Sequence, residues 1–568
     1  MIKKLYQFSF IVPFIVFCIF LGHFAVNVPQ GDDFELVLHF LTKYQHEGSL
    51  FKKLSLMGAQ FVEHRLLYTR LIVLIQYWLS GGVSFYLIIF MGNLSLVGIF
   101  IVAQRQLYFL KHSACYLLPV SLLLFQPCYS YDGVLWPAAT LAYNSVSFFA
   151  ILTIHWITSQ RFLHFCLAFI SAFFCTYTFG NGILILGIAA VLLAFQKRWK
   201  ELLVWAVFTI VVVAVYFYEY ETIATRNKPF YNLTHYFDYS CVNLMVFMGG
   251  ALNWSELWPK DLSVSDYPSI IMGALVLTVF IYLAVTVLKN TLIKTTSAGT
   301  TDASSLRFQY FLLGSLSFFV LTGLLLCLSR VDKDMILMHI NRYRVHSVVA
   351  VLLTYLYFVP FLRKKRLYIC LFLGGTLGFW LLSYFHFYAV FSEYQRTYKA
   401  AQHNWAMNEE WFIYRDTSYW EEASKLAMHK AKTTLNYHLK VSPFSEVSET
   451  NEVIPNVKIV ISNKTDEIHI AGFDNSIHLQ KPENNVYIAF KHTGLSKTYL
   501  LPAAYSRRSL RLVLLGNAYY YPEFNCKITY RNFPKARYQI GIAYQKENNL
   551  EIKWQPTYFE NNHGNLLN

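Results

Sequence analysis

Charge is what this 568-residue chain has least of. Only 14% of it is Asp, Glu, Lys or Arg, where soluble domains carry about 25%. Most of the chain therefore is not built to dissolve in water. Acidic residues are the scarcer sign, 33 against 48 Lys and Arg, for a net charge of +15. That excess does not point to nucleic acid, because the positives cluster in short loops between apolar runs, the imprint of orientation in a bilayer. Paired cysteines are missing too. Of nine, Cys18, Cys166, Cys175, Cys327 and Cys370 lie inside apolar runs, so neither a disulfide framework nor a cysteine metal site has a footing. There is no Walker loop, HExxH, GxSxG or CxxC pattern, which argues against ATP-driven transport, zinc proteolysis and serine hydrolysis. No small-x-small cleavage site follows Lys3-Lys4 and the apolar stretch Leu5 to Ala25. That stretch reads as an uncleaved anchor helix.

What is present is apolar surface: 55% of residues are hydrophobic and mean hydropathy is positive, +0.36. Repeated apolar runs of roughly 15 to 22 residues predict an α-helical polytopic membrane domain. Spans are expected at 5–27, 83–103, 113–126, 143–158, 163–178, 182–196, 201–218, 268–288, 308–328, 346–362 and 367–389, about eleven in all. Lys3/Lys4, Arg105/Lys111, Arg161, Lys197/Arg198/Lys200, Lys289/Lys294/Arg307 and Arg363-Lys364-Lys365-Arg366 then share one side, the cytoplasmic one. Loops 127–142 and 179–181 contain no Lys or Arg. The alternation holds if 66–79 lies along the outer interface rather than crossing; a crossing is the competing reading. The outer face receives loops 28–82, 219–267 and 329–345 and the C-terminus.

The expected domains are 1–390 in the membrane, an amphipathic helical connector at 391–454, and an all-β C-terminal sandwich at 455–568. The connector carries Trp405, Trp411 and Trp420 among charged residues. From about 455 the apolar period becomes two, with strands expected at Val457–Ile461, Glu467–Ala471, Val486–Phe490, Ser509–Leu515, Cys526–Tyr530, Tyr538–Tyr544 and Leu550–Trp554. Sugar binding and mechanical support are equally open roles for it.

Three clusters carry chemistry. Gln30-Gly31-Asp32-Asp33-Phe34 follows the first helix. Gly31 permits a tight turn, and apolar Phe34, Leu36, Val37 and Leu38 leave the pair partly desolvated. Such a carboxylate can take the proton of an attacking hydroxyl; solvated loop residues are the alternative. Glu63-His64-Arg65 with Arg70 offers two guanidinium groups at the interface, either for a phosphate or as snorkelling anchors. His339-Ile340-Asn341-Arg342-Tyr343-Arg344-Val345-His346 puts basic residues on the outer side, against the orientation rule. Phosphate capture explains them, as does pairing with Asp332 or Asp334. Tyr131-Asp132-Gly133-Val134-Leu135-Trp136-Pro137 sets a carboxylate beside an indole, suited to a sugar face or to an interface belt. Phe179-Gly180-Asn181-Gly182 reads as a tight structural turn.

With sidedness assigned, six spans separate the first long outer loop from the second, which resembles the GT-C superfamily of membrane glycosyltransferases over about residues 1–390. Asp32 and Asp33 match that superfamily's acidic residues near the end of helix one. Gly31-Asp32-Asp33, Glu63-His64-Arg65, the 131–137 loop and Phe179-Gly180-Asn181-Gly182-Ile183-Leu184 look like a family of bacterial polytopic proteins taken for glycosyltransferases. That family's Trp loop is richer in Trp, Glu and Gln, so Asp132 is the residue the resemblance supports least. The resemblance implies inverting transfer of a sugar from a polyprenyl-phosphate carrier to a glycan, lipid or protein acceptor, on the periplasmic side of a bacterial inner membrane. Asp33 or Asp32 would be the base, and Arg65, Arg342 and Arg344 would hold the departing phosphate. Glu63, His64, Arg70, Tyr343, Asp132 and Trp136 would be substrate contacts. A divalent cation serves some members and not others, and the acidic pair leaves that open. The rival classes are a transporter or flippase of lipid-linked sugars and a non-enzymatic component of envelope polysaccharide assembly.

Overall fold

The computed structural model describes residues 9–109, 116–221, 234–254, 266–293, 303–330, 341–362, 366–412, 418–435, 437, 442–454, 456–462, 467–473, 485–529 and 533–561. The chain divides into two compact units. One comprises Met1–His23, Glu47–Trp78 and Tyr86–Phe387; the other comprises Phe24–His46, Leu79–Phe85 and Tyr388–Asn568. The sequence predicts all of 28–82 as one outer loop of the membrane domain. By contacts, its first part, with Asp32 and Asp33, belongs with the C-terminal residues instead.

The first unit is helical. Among the described residues of the whole chain, seven helices are long and apolar enough to cross a membrane: Phe85–Phe109, Pro137–Ile157, Trp199–Phe217, Tyr267–Thr291, Ser304–Ser329, Asn341–Leu362 and Leu367–Asn408. Ile11–Phe24, Phe162–Thr176, Gly180–Phe195 and Phe237–Leu252 are shorter apolar helices. Two regions differ from the expected pattern. The described part of the span expected at 113–126, of which 113–115 lie outside the described residues, is the eight-residue helix Leu117–Leu124. It stops because Gln126 precedes Pro127 and takes an extended conformation, φ −152° and ψ 158°, as the proline ring demands. The second difference is Phe237–Gly249, an apolar helix inside the region predicted as outer loop 219–267.

Glycine lets that helix approach Tyr267–Ile293 until backbone meets backbone. A Cβ on Gly273 would sit 1.7 Å from the Met245 carbonyl oxygen, and one on Gly249 would sit 1.9 Å from that of Ser269. Close approach of small residues replaces the hydrophobic drive that lipid removes. Ser347 clasps the helix end: its hydroxyl accepts from Ala251 N–H at 2.8 Å and donates to the Met248 carbonyl at 2.9 Å. The stretch 66–79 forms the helix Leu67–Ser80, which buries Thr69, Arg70, Val73, Leu74 and Gln76 and leaves Trp78 and Leu79 exposed. Before it, β1 (Gln60–Phe61) and β2 (His64–Arg65) pair as a small hairpin.

Among its described residues, the second unit carries nine strands in two sheets. They are β3 (Glu446–Thr450), β4 (Val457–Ser462), β5 (Glu467–Phe473), β6 (Asn485–His492), β7 (Thr498–Pro502), β8 (Ala504–Arg507), β9 (Tyr520–Thr529), β10 (Ala536–Lys546) and β11 (Asn549–Asn561). The orders are β3-β11-β10-β6-β7 and β4-β5-β9-β8, antiparallel except for the parallel β11–β3 pair. Alternation explains the core: Ile468 and Ile470 of one sheet share a buried cluster with Ile488, Phe490, Ile540 and Ile542 of the other. The opposite face of the five-stranded sheet is buried as well, with Tyr487, Ala489, Ala543 and Trp554 clustered with Ala400 and Phe444. Asn404, in the helix Arg366–Asn408, donates to the Leu500 carbonyl at 2.9 Å and accepts from its N–H at 2.7 Å. The β region starts earlier than 455, at β3. Residues Ser509–Leu515, predicted as a strand, contain the short helix Leu510–Leu514. Gly516, at φ +87°, closes that helix in the left-handed conformation that favours glycine.

Candidate functional site

The acidic pair begins at a turn. Gly31 has φ +46°, which glycine adopts without penalty. Asp33 N–H donates to the Gln30 carbonyl at 2.8 Å, and Gln30 N–H donates back to Asp33 Oδ2 at 2.9 Å. This reciprocal pair has the logic of a capping box. Asp33 then leads into a π-helical stretch, Phe34–His39, whose Phe34, Leu36, Val37 and Leu38 are buried; such stretches recur at functional sites. The two carboxylates have different surroundings. Asp33 is fully buried, and its charge adds to burial in pushing the buried Tyr437 hydroxyl well above its ordinary range. That hydroxyl donates to the Asn27 carbonyl at 3.1 Å. Asp32 keeps part of its surface exposed.

In the other unit, two distant segments meet. A 3₁₀ turn, Asn341–Tyr343, feeds the helix Arg344–Leu362. Arg344 is buried; its Nη1 donates to the Cys128 carbonyl at 3.0 Å, and its guanidinium lies 5.3 Å over the Phe387 ring. The Arg342 guanidinium lies 5.5 Å over the Trp136 ring and 5.9 Å from that of Tyr343. Asp132, in the short helix Ser130–Val134, feels both charges. Burial pushes its carboxyl up to about 6, and Arg342 and Arg344 hold it back from rising further. A carboxylate, two guanidinium groups and an indole thus form one cluster, and the predicted partners Asp332 and Asp334 lie outside the described residues.

Aromatic rings join this cluster to the other motifs. His64 stands 4.0 Å from the Phe179 ring, Phe179 stands 4.7 Å from Tyr143, and Tyr143 stands 5.4 Å from Tyr343. Gly180 is required here, since a Cβ would come within 2.5 Å of His64 Nδ1. The arginines of the His64 hairpin are engaged differently. Arg65 donates to the carbonyls of Tyr216 at 2.6 Å, Gly58 at 2.7 Å and Tyr218. Arg70 donates to those of Met57 at 3.2 Å and Ala59. The Glu63 carbonyl accepts from the Tyr220 hydroxyl at 3.0 Å. Both guanidinium groups therefore tie backbone together around the hairpin.

Of the predicted residues, His64, Asp132, Trp136, Arg342, Tyr343 and Arg344 come together in one unit. Asp32 and Asp33 sit in the other, and Glu63, Arg65 and Arg70 brace the hairpin. Tyr143, Cys128 and Phe387 complete the cluster without any signal in the sequence, as they sit in apolar runs. Among the described residues, no three His, Cys, Asp or Glu side chains are grouped to hold a metal ion. No protein-family model, curated protein or solved structure matches this chain.

Proposed function

We propose that this membrane protein is an inverting glycosyltransferase of the GT-C type. It would move a sugar from a polyprenyl-phosphate carrier to an acceptor on the outer side of a bacterial inner membrane. The observation that carries the reading is the cluster in which the charges of Arg342 and Arg344 act on Asp132 and Arg342 lies over Trp136. Segments some two hundred residues apart are gathered to hold two fixed cations next to an aromatic face. Paired guanidinium groups fit the oxygens of a phosphate, and an indole fits the apolar face of a sugar.

In this reaction the acceptor oxygen attacks the anomeric carbon while the bond from that carbon to the phosphate oxygen breaks. Arg342 and Arg344 take up the negative charge growing on the departing polyprenyl phosphate. The resemblance to the GT-C superfamily would give the hydroxyl proton to the acidic pair. Asp32 is the better base of the two, because it keeps exposed surface while Asp33 is buried and bound to the Gln30 N–H. Asp33 shapes the turn that presents it. We read the two β-sheets as a sandwich on the periplasmic side, supporting the membrane domain or binding glycan.

Mass analysis of lipid-linked sugars in cells with and without the gene tests the reading. Deletion is expected to make a monoglycosylated polyprenyl phosphate accumulate; an unchanged pool overturns it. Asp32→Asn is expected to reproduce the accumulation with normal amounts of folded protein, since loss of a general base costs about a hundredfold or more in rate. Asp33→Asn is expected to lower the amount of folded protein. Near-normal transfer by both variants would remove the acidic pair from the mechanism.

A further inference from the structure

A second polar site lies among the loops that the charge pattern assigns to the cytoplasmic side. A cavity of about 330 Å³ opens between the ends of Pro137–Ile157, Leu184–Phe195, Tyr267–Ile293 and Ala303–Arg330, lined by Arg307, Lys197, Gln160, Gln196, Thr158 and Asn290 among others. Among the described residues, no Asp or Glu lines it. The nearby acid Glu201 is taken by Arg198 at 3.3 Å.

Two features of the cavity are unexplained by folding alone. Arg307 places its guanidinium 4.6 Å over the Phe109 ring. Its Nε and Nη2 are out of contact with water and have no hydrogen-bond partner among the described residues. Leaving such donors unmade is costly, and more so when they are charged. The other feature is Lys197. It has φ +55° and ends the helix Leu184–Phe195, with Lys197 N–H bonded to the Ala194 carbonyl at 2.9 Å and Arg198 N–H to the Leu193 carbonyl at 3.0 Å. This is the position where helices ordinarily place glycine, because a side chain there is strained. A lysine held at that cost in the lining of the cavity, which also holds a guanidinium whose Nε and Nη2 have no partner among the described residues, marks a seat for an anion.

We infer that this cavity binds a phosphate group, with Arg307 as its fork and Lys197 as its second cation, and that an anionic phospholipid headgroup supplies it. Phosphate offers the several acceptor oxygens that a guanidinium fork matches. Basic pockets between helices on the cytoplasmic side are the natural places for anionic headgroups. The inference is independent of the glycosyltransferase reading, since it uses none of the same residues.

The full-length protein in nanodiscs of phosphatidylcholine, titrated with phosphatidylglycerol or with inorganic phosphate, tests it by native mass spectrometry and thermal unfolding. Phosphatidylglycerol is expected to be retained and to raise the unfolding midpoint. Arg307→Gln is expected to weaken retention about tenfold or more, the worth of a charge-assisted contact. Lys197→Gly guards against misfolding, since glycine suits the backbone there: it should unfold no earlier than the parent yet retain less lipid. Stabilisation by inorganic phosphate alone would keep the phosphate seat and remove the lipid as its source. Equal retention of both lipids with no effect of phosphate overturns the inference, as does retention unchanged in both variants.

Discussion

Replacing Asp132 by asparagine removes a charge without changing shape, and the structure sets the sign of the outcome. Burial moves the Asp132 carboxyl from an ordinary 3.8 to about 6, against the pull of Arg342 and Arg344. The folded protein therefore holds this proton to higher pH than the unfolded chain does. Stability attributable to Asp132 falls as pH rises between those two values, and above pH 6 the whole cost of the ionised form is in place. About two powers of ten in proton affinity correspond to about 3 kcal/mol, which the remaining contact with water lowers to about 2 kcal/mol. The amide of the Asp132→Asn variant cannot ionise and escapes that cost. Thermal unfolding of the full-length protein in detergent, followed by tryptophan fluorescence from pH 4 to 8, is the assay. At pH 7.5 Asp132→Asn should unfold at a higher temperature than the parent, and the gap should close as pH falls toward 4. A variant less stable at pH 7.5, or a gap independent of pH, would mean that the two arginines outweigh burial, refuting the argument.

If the proposed glycosyltransferase reading holds, Arg342→Lys and Arg344→Lys should each lower use of a polyprenyl-phosphate donor about tenfold with little change in acceptor dependence, as read from initial rates at varied concentrations of each, because lysine keeps the charge but loses the fork. Gly273→Leu should sharply reduce the yield of folded protein on size-exclusion chromatography, since any Cβ meets the Met245 carbonyl; wild-type yield would show that the two helices can separate at no cost. Asn404→Ala should lower stability by about 1–3 kcal/mol, since it strips both partners from Leu500, and an unchanged unfolding midpoint would place those bonds outside the fold's energetics.

Long apolar runs and two-residue alternation made most helices and six of the nine strands among the described residues of the second unit legible, because period and length are local properties. What escaped the reading depended on partners far along the chain. The helix Phe237–Gly249 looks like loop beside tyrosines and polar residues, and its helical character is tied to Gly249 and Gly273 allowing backbone contact. Ser509–Leu515 alternates like a strand, yet Gly516 closes it as a helix. Strand β3 reads as polar, Glu446 to Thr450, and exists by pairing with β11. Within the candidate site, Arg342 and Arg344 stood out by defying the orientation rule. Asp132 stood out only for its place beside Trp136; the two arginines that act on it lie about 210 positions away. Arg65 and Arg70 look identical to phosphate ligands in sequence; only the carbonyls they meet distinguish bracing from binding.

The two side-chain bonds from Asn404 to Leu500 have a further consequence. Strand β7 is the last of its sheet, and a bare last strand is a template on which another chain can add itself. The amide of Asn404 occupies the N–H and C=O that such a chain would need, and Asn408 takes the Thr498 carbonyl at 2.8 Å. At the far border, β3 is exposed along its whole length, and Glu446 sets a charge on it while Glu449 pairs with Lys491 at 2.6 Å. A last strand whose outward N–H and C=O are already taken offers no free template for another chain. Loss of Asn404 and Asn408 together is thus a route to self-association rather than merely to a weaker fold.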